Sequence, residues 1–309
     1  MSDMFDYLEW RGDLTFRQAP VNMVDNLLFS CMAYVVLQDI VGGMHNGDTK
    51  TISEAAMEFV ALSEEAKNLR DKNDEKIFVA MAETERFGDL HLQYHVQQMD
   101  TVAEKQFAAI TVALDDGSHF VAYRGTDYSV IGWKEDFNMS FKEPVTGQSL
   151  SALYLQQVSE LLEGDFTVLG HSKGGNFAVY ASMNVEEKIQ NRIEKVYSFD
   201  SPGFRPEILE SVDFNRIKDR IIKYLPHSSI FGVLLQSKEN YQIVECFSIG
   251  VLQHNPYNWQ VDGNEFKKLD KLDRGSVFLS ETYNEWLYGL NDEELHAYSE
   301  IWYQIMQEA

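Results

Sequence analysis

Residues 166–183 read FTVLGHSKGGNFAVYASM. An apolar run of strand character, FTVLG, ends in Gly170-His171-Ser172-Lys173-Gly174-Gly175, and the helix-like run NFAVYASMNV follows at once. The corner fits the pattern G-x-S-x-G through Gly170, Ser172 and Gly174. Small residues belong there because the serine backbone is strained and the helix must approach the strand closely. A tight turn in which the serine merely caps the helix is the plainer alternative. The strand–turn–helix context favours a reactive hydroxyl at Ser172.

The pattern around the corner supplies the rest of the sheet. The helix-like stretch 150–164 precedes it, and strands are predicted at 195–199, 220–226 and 241–249. Strands alternating with helices imply right-handed crossovers and a mostly parallel sheet. Upstream, FAAITVAL and SHFVAYRG flank Asp115-Asp116-Gly117, which reads as an antiparallel hairpin at one side. In DLHLQYHVQQ, Leu90, Leu92, Tyr94 and Val96 alternate with polar residues, the period of a strand. Residues 21–85 read as helices: VDNLLFSCMAYVVLQ, then SEAAMEFVALSEEAKNLR with Ser53 as its cap and Glu54 in the first turn, then NDEKIFVAMAETER. The end is helical again. No repeat, low-complexity tract or Pro/Gly/Ser linker divides the chain. Residues 1–309 therefore read as one α/β domain, with a mainly helical N-terminal part (about 1–85) and a C-terminal helical segment (about 280–309).

A serine hydroxyl is a weak nucleophile until a base takes its proton. In a fold with this strand–turn–helix corner the base is a histidine later in the chain, oriented by a carboxylate. Of eight histidines, His45, His91, His95 and His119 precede Ser172. His171 adjoins it and should point away from it in the turn, and His296 sits in a charged terminal helix. His227 directly follows the strand RIIKYLP, and His254 follows YQIVECFSI in QHNPYNW. A histidine in the loop after the last strand suits the role, so His254 is preferred to His227. The loop after RIIKYLP reads HSSIFG and offers no acid, which leaves Asp200, in FDSPG one strand earlier, as the leading carboxylate. Asp262 is held in reserve. The oxyanion donors are expected from the backbone of Lys173 and from Thr126, in the loop after HFVAY.

Composition limits the alternatives. Acidic residues number 49 and basic ones 26, a formal charge of −23, which disfavours nucleic acid and anionic lipid headgroups as partners. With 44% apolar residues the chain can bury a core. The two cysteines, Cys31 and Cys246, lie in apolar runs, so a disulfide framework or a cysteine-based zinc site is not expected. His91 and His95 are four apart, but on a strand their rings would stand about 13 Å apart. No metal or organic cofactor is expected. The longest apolar stretch, NLLFSCMAYVVLQ, is too short to span a bilayer, and the acidic start lacks the order of a secretion signal. A cytoplasmic, reducing setting is the expectation.

The pieces resemble a known family. FVAYRGTD followed by GWKEDF is similar to the FRGT…D segment of class 3 lipases, VLGHSKGG to their GHSLGG corner, and VYSFDSPGF to their FGSPR strand end. YLEWRGDLTF, VDNLLFS, QFAAIT, LPHSSIFG and QHNPYNWQV further resemble a bacterial family of uncharacterised hydrolase-fold proteins related to those lipases, over nearly the whole chain. The resemblance implies an α/β-hydrolase fold with Ser172 as nucleophile, His254 as base, Thr126 and Lys173 at the oxyanion hole, and Asp136 supporting the threonine. It implies a serine esterase acting on a small-molecule ester or lipid-like substrate. Two departures stand out: Ser228-Ser229-Ile230 occupies the place of the lipases' Asp-Ile-Val-Pro, and Lys173 replaces their leucine. The lysine would attract an anionic substrate head or reach solvent. The competing function is a non-catalytic hydrolase-fold protein that binds a small ligand or a protein partner.

Overall fold

A computed structural model describes residues 2–67, 69–100, 105–127, 138, 139, 142, 144–235 and 240–308. Among these residues, nine strands form one sheet: β1 (Lys50–Thr51), β2 (His91–Asp100), β3 (Lys105–Ala113), β4 (His119–Tyr123), β5 (Phe166–His171), β6 (Ile193–Phe199), β7 (Ile221–Pro226), β8 (Tyr241–Val244) and, at the far edge, Lys268–Leu269. Strands β1 to β4 pair antiparallel, β4 through β8 pair parallel in chain order, and Lys268–Leu269 closes antiparallel on β8. The hairpin therefore hands over to the parallel half at the pair β4–β5. This is an α/β-hydrolase fold.

Both faces of the sheet are covered, so β4 and β5 are buried along nearly their whole length rather than on alternate residues. On β5, Phe166 and Val168 enter one core with the helices Thr146–Leu161 and Lys173–Asn184. Leu169 enters the other, with the N-terminal helices Met23–Met32, Ile52–Val60 and Lys72–Ala82 and with Trp259 and Phe266. The N-terminal helices thus form one of the two covering layers. They are tied by a wholly buried ion pair: Arg86 donates from Nη2 to Asp25 Oδ2 at 2.5 Å and from Nε to Asp25 Oδ1 at 2.8 Å, and Tyr7 donates its hydroxyl to the same Oδ1 at 2.7 Å. The remaining guanidinium donors reach the carbonyls of Leu14, Ala19 and Pro20.

Several local expectations are corrected. The helix Ile52–Val60 is capped by Thr51, not Ser53: Thr51 Oγ1 accepts from the Glu54 amide at 3.1 Å, and Glu54 reaches back to the Thr51 amide at 2.9 Å. Ser53 instead donates to the Ala82 carbonyl at 2.6 Å. The run 53–70 is broken after Val60, with a separate short helix at Glu64–Lys67. The helix beginning at Met23 stops at Met32, short of Gln38. Strand β8 ends at Val244 because the chain then turns to pair elsewhere: the Glu245 amide donates to Lys267 and its carbonyl accepts from Gln260. At the C-terminal end helices span Arg274–Gly289 and Asp292–Glu308.

Candidate active site

The corner at residues 170–175 is built by close approach. A Cβ on Gly170 would lie 2.3 Å from the carbonyl carbon of Gly174, and one on Gly174 would lie 2.1 Å from the Tyr123 carbonyl oxygen. Only glycine lets the helix Lys173–Asn184 pass that near to β4 and β5. Ser172, between strand and helix, has φ 58° and ψ −135°, a conformation that costs a non-glycine residue about 1–3 kcal/mol. The surroundings enforce it: the Ser172 amide donates to the Phe199 carbonyl at 2.9 Å, and the Ser172 carbonyl accepts from Gly175 at 3.0 Å. Ser172 retains 8% of its surface.

Ser172, His254 and Asp200 meet in one hydrogen-bonded line. Ser172 Oγ lies 3.0 Å from His254 Nε2, and His254 Nδ1 lies 2.6 Å from Asp200 Oδ2. A carboxylate accepts only, so Nδ1 carries the proton and Nε2 presents its lone pair to the serine hydroxyl. Asp200 stands just past the end of β6, has φ 45°, and is fully buried. Its second oxygen accepts from Ser229 Oγ at 2.5 Å and from the Gly232 amide at 3.1 Å. The sequence assigns no role to Ser229 or Gly232. They belong to the loop HSSIFG, which lacks an acid and instead serves the acid from the strand before it. A Cβ at Gly232 would sit 2.4 Å from Asp200 Oδ1, so the loop can close over the carboxylate only with glycine there.

The imidazole of His254 lies between two rings, Phe231 at 4.2 Å and His171 at 4.7 Å between centroids. The short 3₁₀ turn Gly250–His254 that carries it is fixed through Gln253, which accepts from the Ser228 amide at 2.7 Å and donates to Ser248 at 2.8 Å. His171 points away from the serine, as its place in the turn implied, and faces Tyr34 and the His254 backbone. His227 is turned elsewhere, donating Nδ1–H to the Lys271 carbonyl at 3.0 Å. Asp262 is exposed in the small hairpin formed by Val261–Asp262 and Glu265–Phe266, and the carboxylate beside His254 is Asp200.

Lys173 does not reach solvent: it is 1% exposed at the first position of its helix, with its ammonium 5.8 Å from the Phe177 ring centroid. Thr126 is half-buried in the loop after β4, one residue past Gly125. A Cβ on Gly125 would lie 3.0 Å from Ser172 Cβ, which puts this loop directly against the serine. Asp136 and Trp133 lie outside the described residues. Tyr257 and Trp259 are buried core residues. Among the described residues, no group of three or more His, Cys, Asp or Glu side chains could hold a metal ion, and no helix is long and apolar enough to cross a membrane.

The sheet order and the serine at the β5 corner define the class, an α/β-hydrolase fold. The chain belongs to the Mbeg1-like family, whose model matches residues 81–304. Among solved structures it is similar to M37 lipase, at 17% identity over 67% of this chain and 68% of that one, with a TM-score of 0.40. It is similar also to the lipase of Rhizomucor miehei in its propeptide complex. For the native complex the identity is 16% over 62% of this chain and 65% of that one, TM-score 0.38. For a deletion mutant of the same complex it is 14% over 83% and 74%, TM-score 0.43. No curated protein sequence matches the chain.

Proposed function

We propose that the protein is a serine hydrolase that cleaves a carboxylic ester through an acyl-enzyme on Ser172. The observation that carries this reading is the line Ser172 Oγ–His254 Nε2–His254 Nδ1–Asp200 Oδ2, at 3.0 and 2.6 Å. His254 takes the hydroxyl proton as Ser172 attacks the acyl carbonyl, and Asp200 stabilises the imidazolium that forms. The tetrahedral anion collapses, and His254 returns the proton to the leaving alcohol. Water then repeats the sequence and releases the acid. The oxyanion is bound by the backbone of Lys173, at the positive end of the helix dipole, and by Thr126. Asp136 is the candidate support for Thr126.

The substrate is a small-molecule ester or lipid-like acyl ester. The charge of −23 favours a dispersed ester over one embedded in an anionic bilayer. The chemistry asks for no cofactor. We take residues 1–309 as one hydrolase domain, a reading supported by the shared core of N-terminal helices and sheet. The free Cys31 and Cys246 support a reducing, cytoplasmic setting.

The test is labelling with a fluorophosphonate followed by intact-mass measurement, alongside hydrolysis of a short-chain p-nitrophenyl ester. One adduct is expected on the wild type and none on S172A, with ester hydrolysis lost in the same variant. An unmodified wild-type protein that is folded and does not hydrolyse the ester would sink the reading.

A further inference from the structure

The geometry points to His171 as a positioning residue for His254, held in one tautomer by Tyr34 from the N-terminal layer. The inference rests on the hydrolase reading in taking His254 as the base. His171 Nε2 lies 2.8 Å from the His254 carbonyl oxygen. A carbonyl only accepts, so Nε2 carries the proton. His171 Nδ1 then offers a lone pair, and the Tyr34 hydroxyl donates to it at 2.9 Å, with a second, longer contact of 3.3 Å to the His171 carbonyl. A Cβ on Gly125 would lie 2.2 Å from the Tyr34 hydroxyl oxygen, so glycine at that position opens the route by which the hydroxyl arrives.

His171 is completely buried, and burial pushes its imidazole well below the ordinary histidine range, with His254 and Arg70 adding to the effect. The ring therefore stays neutral and acts as a fixed donor. Tyr34 is itself fixed from behind. The Arg70 guanidinium carbon lies 3.5 Å from the centroid of its ring, and Arg70 is clamped by both oxygens of Asp74, at 2.7 and 3.3 Å. The same segment holds the chain just beyond the base: Asn255 donates to Asp71 at 3.0 Å, and Tyr257 donates its hydroxyl to Asp74 at 2.7 Å. His254 itself ends a short turn in which Val251 and Leu252 face solvent. The bond from His171 falls on the reacting residue's own backbone, and it comes from the residue adjacent to the nucleophile. It thereby sets the spacing between Ser172 and His254. A displacement near 1 Å at such a point costs about 100-fold in rate.

The test compares H171L, H171Q and Y34F in the full chain. H171L is expected to lower kcat on a soluble ester about 100-fold, with KM held within about twofold. H171Q, whose amide can donate to the same carbonyl, is expected to recover to within about threefold of wild type. Y34F is expected to lower kcat about tenfold, the loss of one buried hydrogen bond. Histidine ¹⁵N NMR on the wild type should find His171 neutral with its proton on Nε2, and Y34F should disturb that tautomer. Folded H171L and Y34F with wild-type kcat, H171Q no better than H171L, or a proton on Nδ1 of His171 would each overturn the proposal. Where H171L does not fold, Y34F and the NMR measurement decide. If the wild type neither hydrolyses esters nor takes up fluorophosphonate, the hydrolase reading has failed, and the tautomer measurement still judges the hydrogen-bonded arrangement on its own.

Discussion

Ser229 donates its hydroxyl proton to Asp200 Oδ1 at 2.5 Å, from the loop after β7, which carries no acid of its own. The carboxylate beside His254 comes from the end of β6, and the donors that hold its other oxygen come from one strand later. Both oxygens of Asp200 are thereby occupied with no water required, which keeps a fully buried anion satisfied.

This arrangement sets the order of two substitutions. D200N should lower kcat by about 10⁴, because an amide no longer enforces the proton on His254 Nδ1. S229A removes one of three donors to a buried charge and should cost about tenfold. Steady-state kinetics on a soluble ester check both. A D200N protein as active as S229A would remove Asp200 from the role.

The corner should be intolerant of a single methyl group. In G174A the added Cβ would fall 2.1 Å from the Tyr123 carbonyl, backbone against backbone. The expected loss is more than about 2 kcal/mol. G289A, where a Cβ meets nothing within 4 Å at the end of the helix Arg274–Gly289, should be neutral or slightly stabilising. Urea midpoints at unchanged slope measure both.

Breaking the pair Asp25–Arg86 should strongly destabilise the fold. In R86M a carboxylate with no solvent access keeps only the Tyr7 hydroxyl and its own helix cap as donors. The cost of removing one partner of a buried pair is about 3–5 kcal/mol. A thermal melt within about 0.5 kcal/mol of wild type would contradict the account.

Acid should weaken the protein through His95. Burial lowers its pKa to about 4, with the Arg124 charge adding to the shift. An unfolded histidine takes its proton near pH 6.5. Between those values the unfolded chain binds more protons, so stability falls as pH drops, by about 2 kcal/mol at pH 5 from this residue. Above about pH 6.5 the contribution is complete and flat. Melting curves from pH 7.5 to 5 test this: H95Q should lose less between those limits than the wild type does.

What could be read in advance was local. The corner is written in ten consecutive residues, a strand run and three glycines around Ser172, so its pattern needs no distant partner. Asp200 emerged by elimination because HSSIFG carries no acid. Lys173 is buried although a lysine read in isolation implies solvent. Its burial follows from the helix start being wedged between strand ends, a fact of tertiary packing. Thr51 and Ser53 are both able to cap, and only the reach of Glu54 back to residue 51 decides between them. The links that hold the His254 loop join residues 184 and 183 positions apart, Asn255 to Asp71 and Tyr257 to Asp74, and no periodicity or spacing announces such pairs.

The span shared with the family model starts at residue 81, part-way through the helix Lys72–Ala82 and beyond Tyr34, Arg70, Asp71 and Asp74. A shortened protein beginning there would keep Ser172, His254 and Asp200 but would lose the contacts of Asp71 and Asp74 to Asn255 and Tyr257. The region before the shared span holds the loop that carries His254, and trimming it would discard that anchorage while leaving Ser172, His254 and Asp200 in the chain.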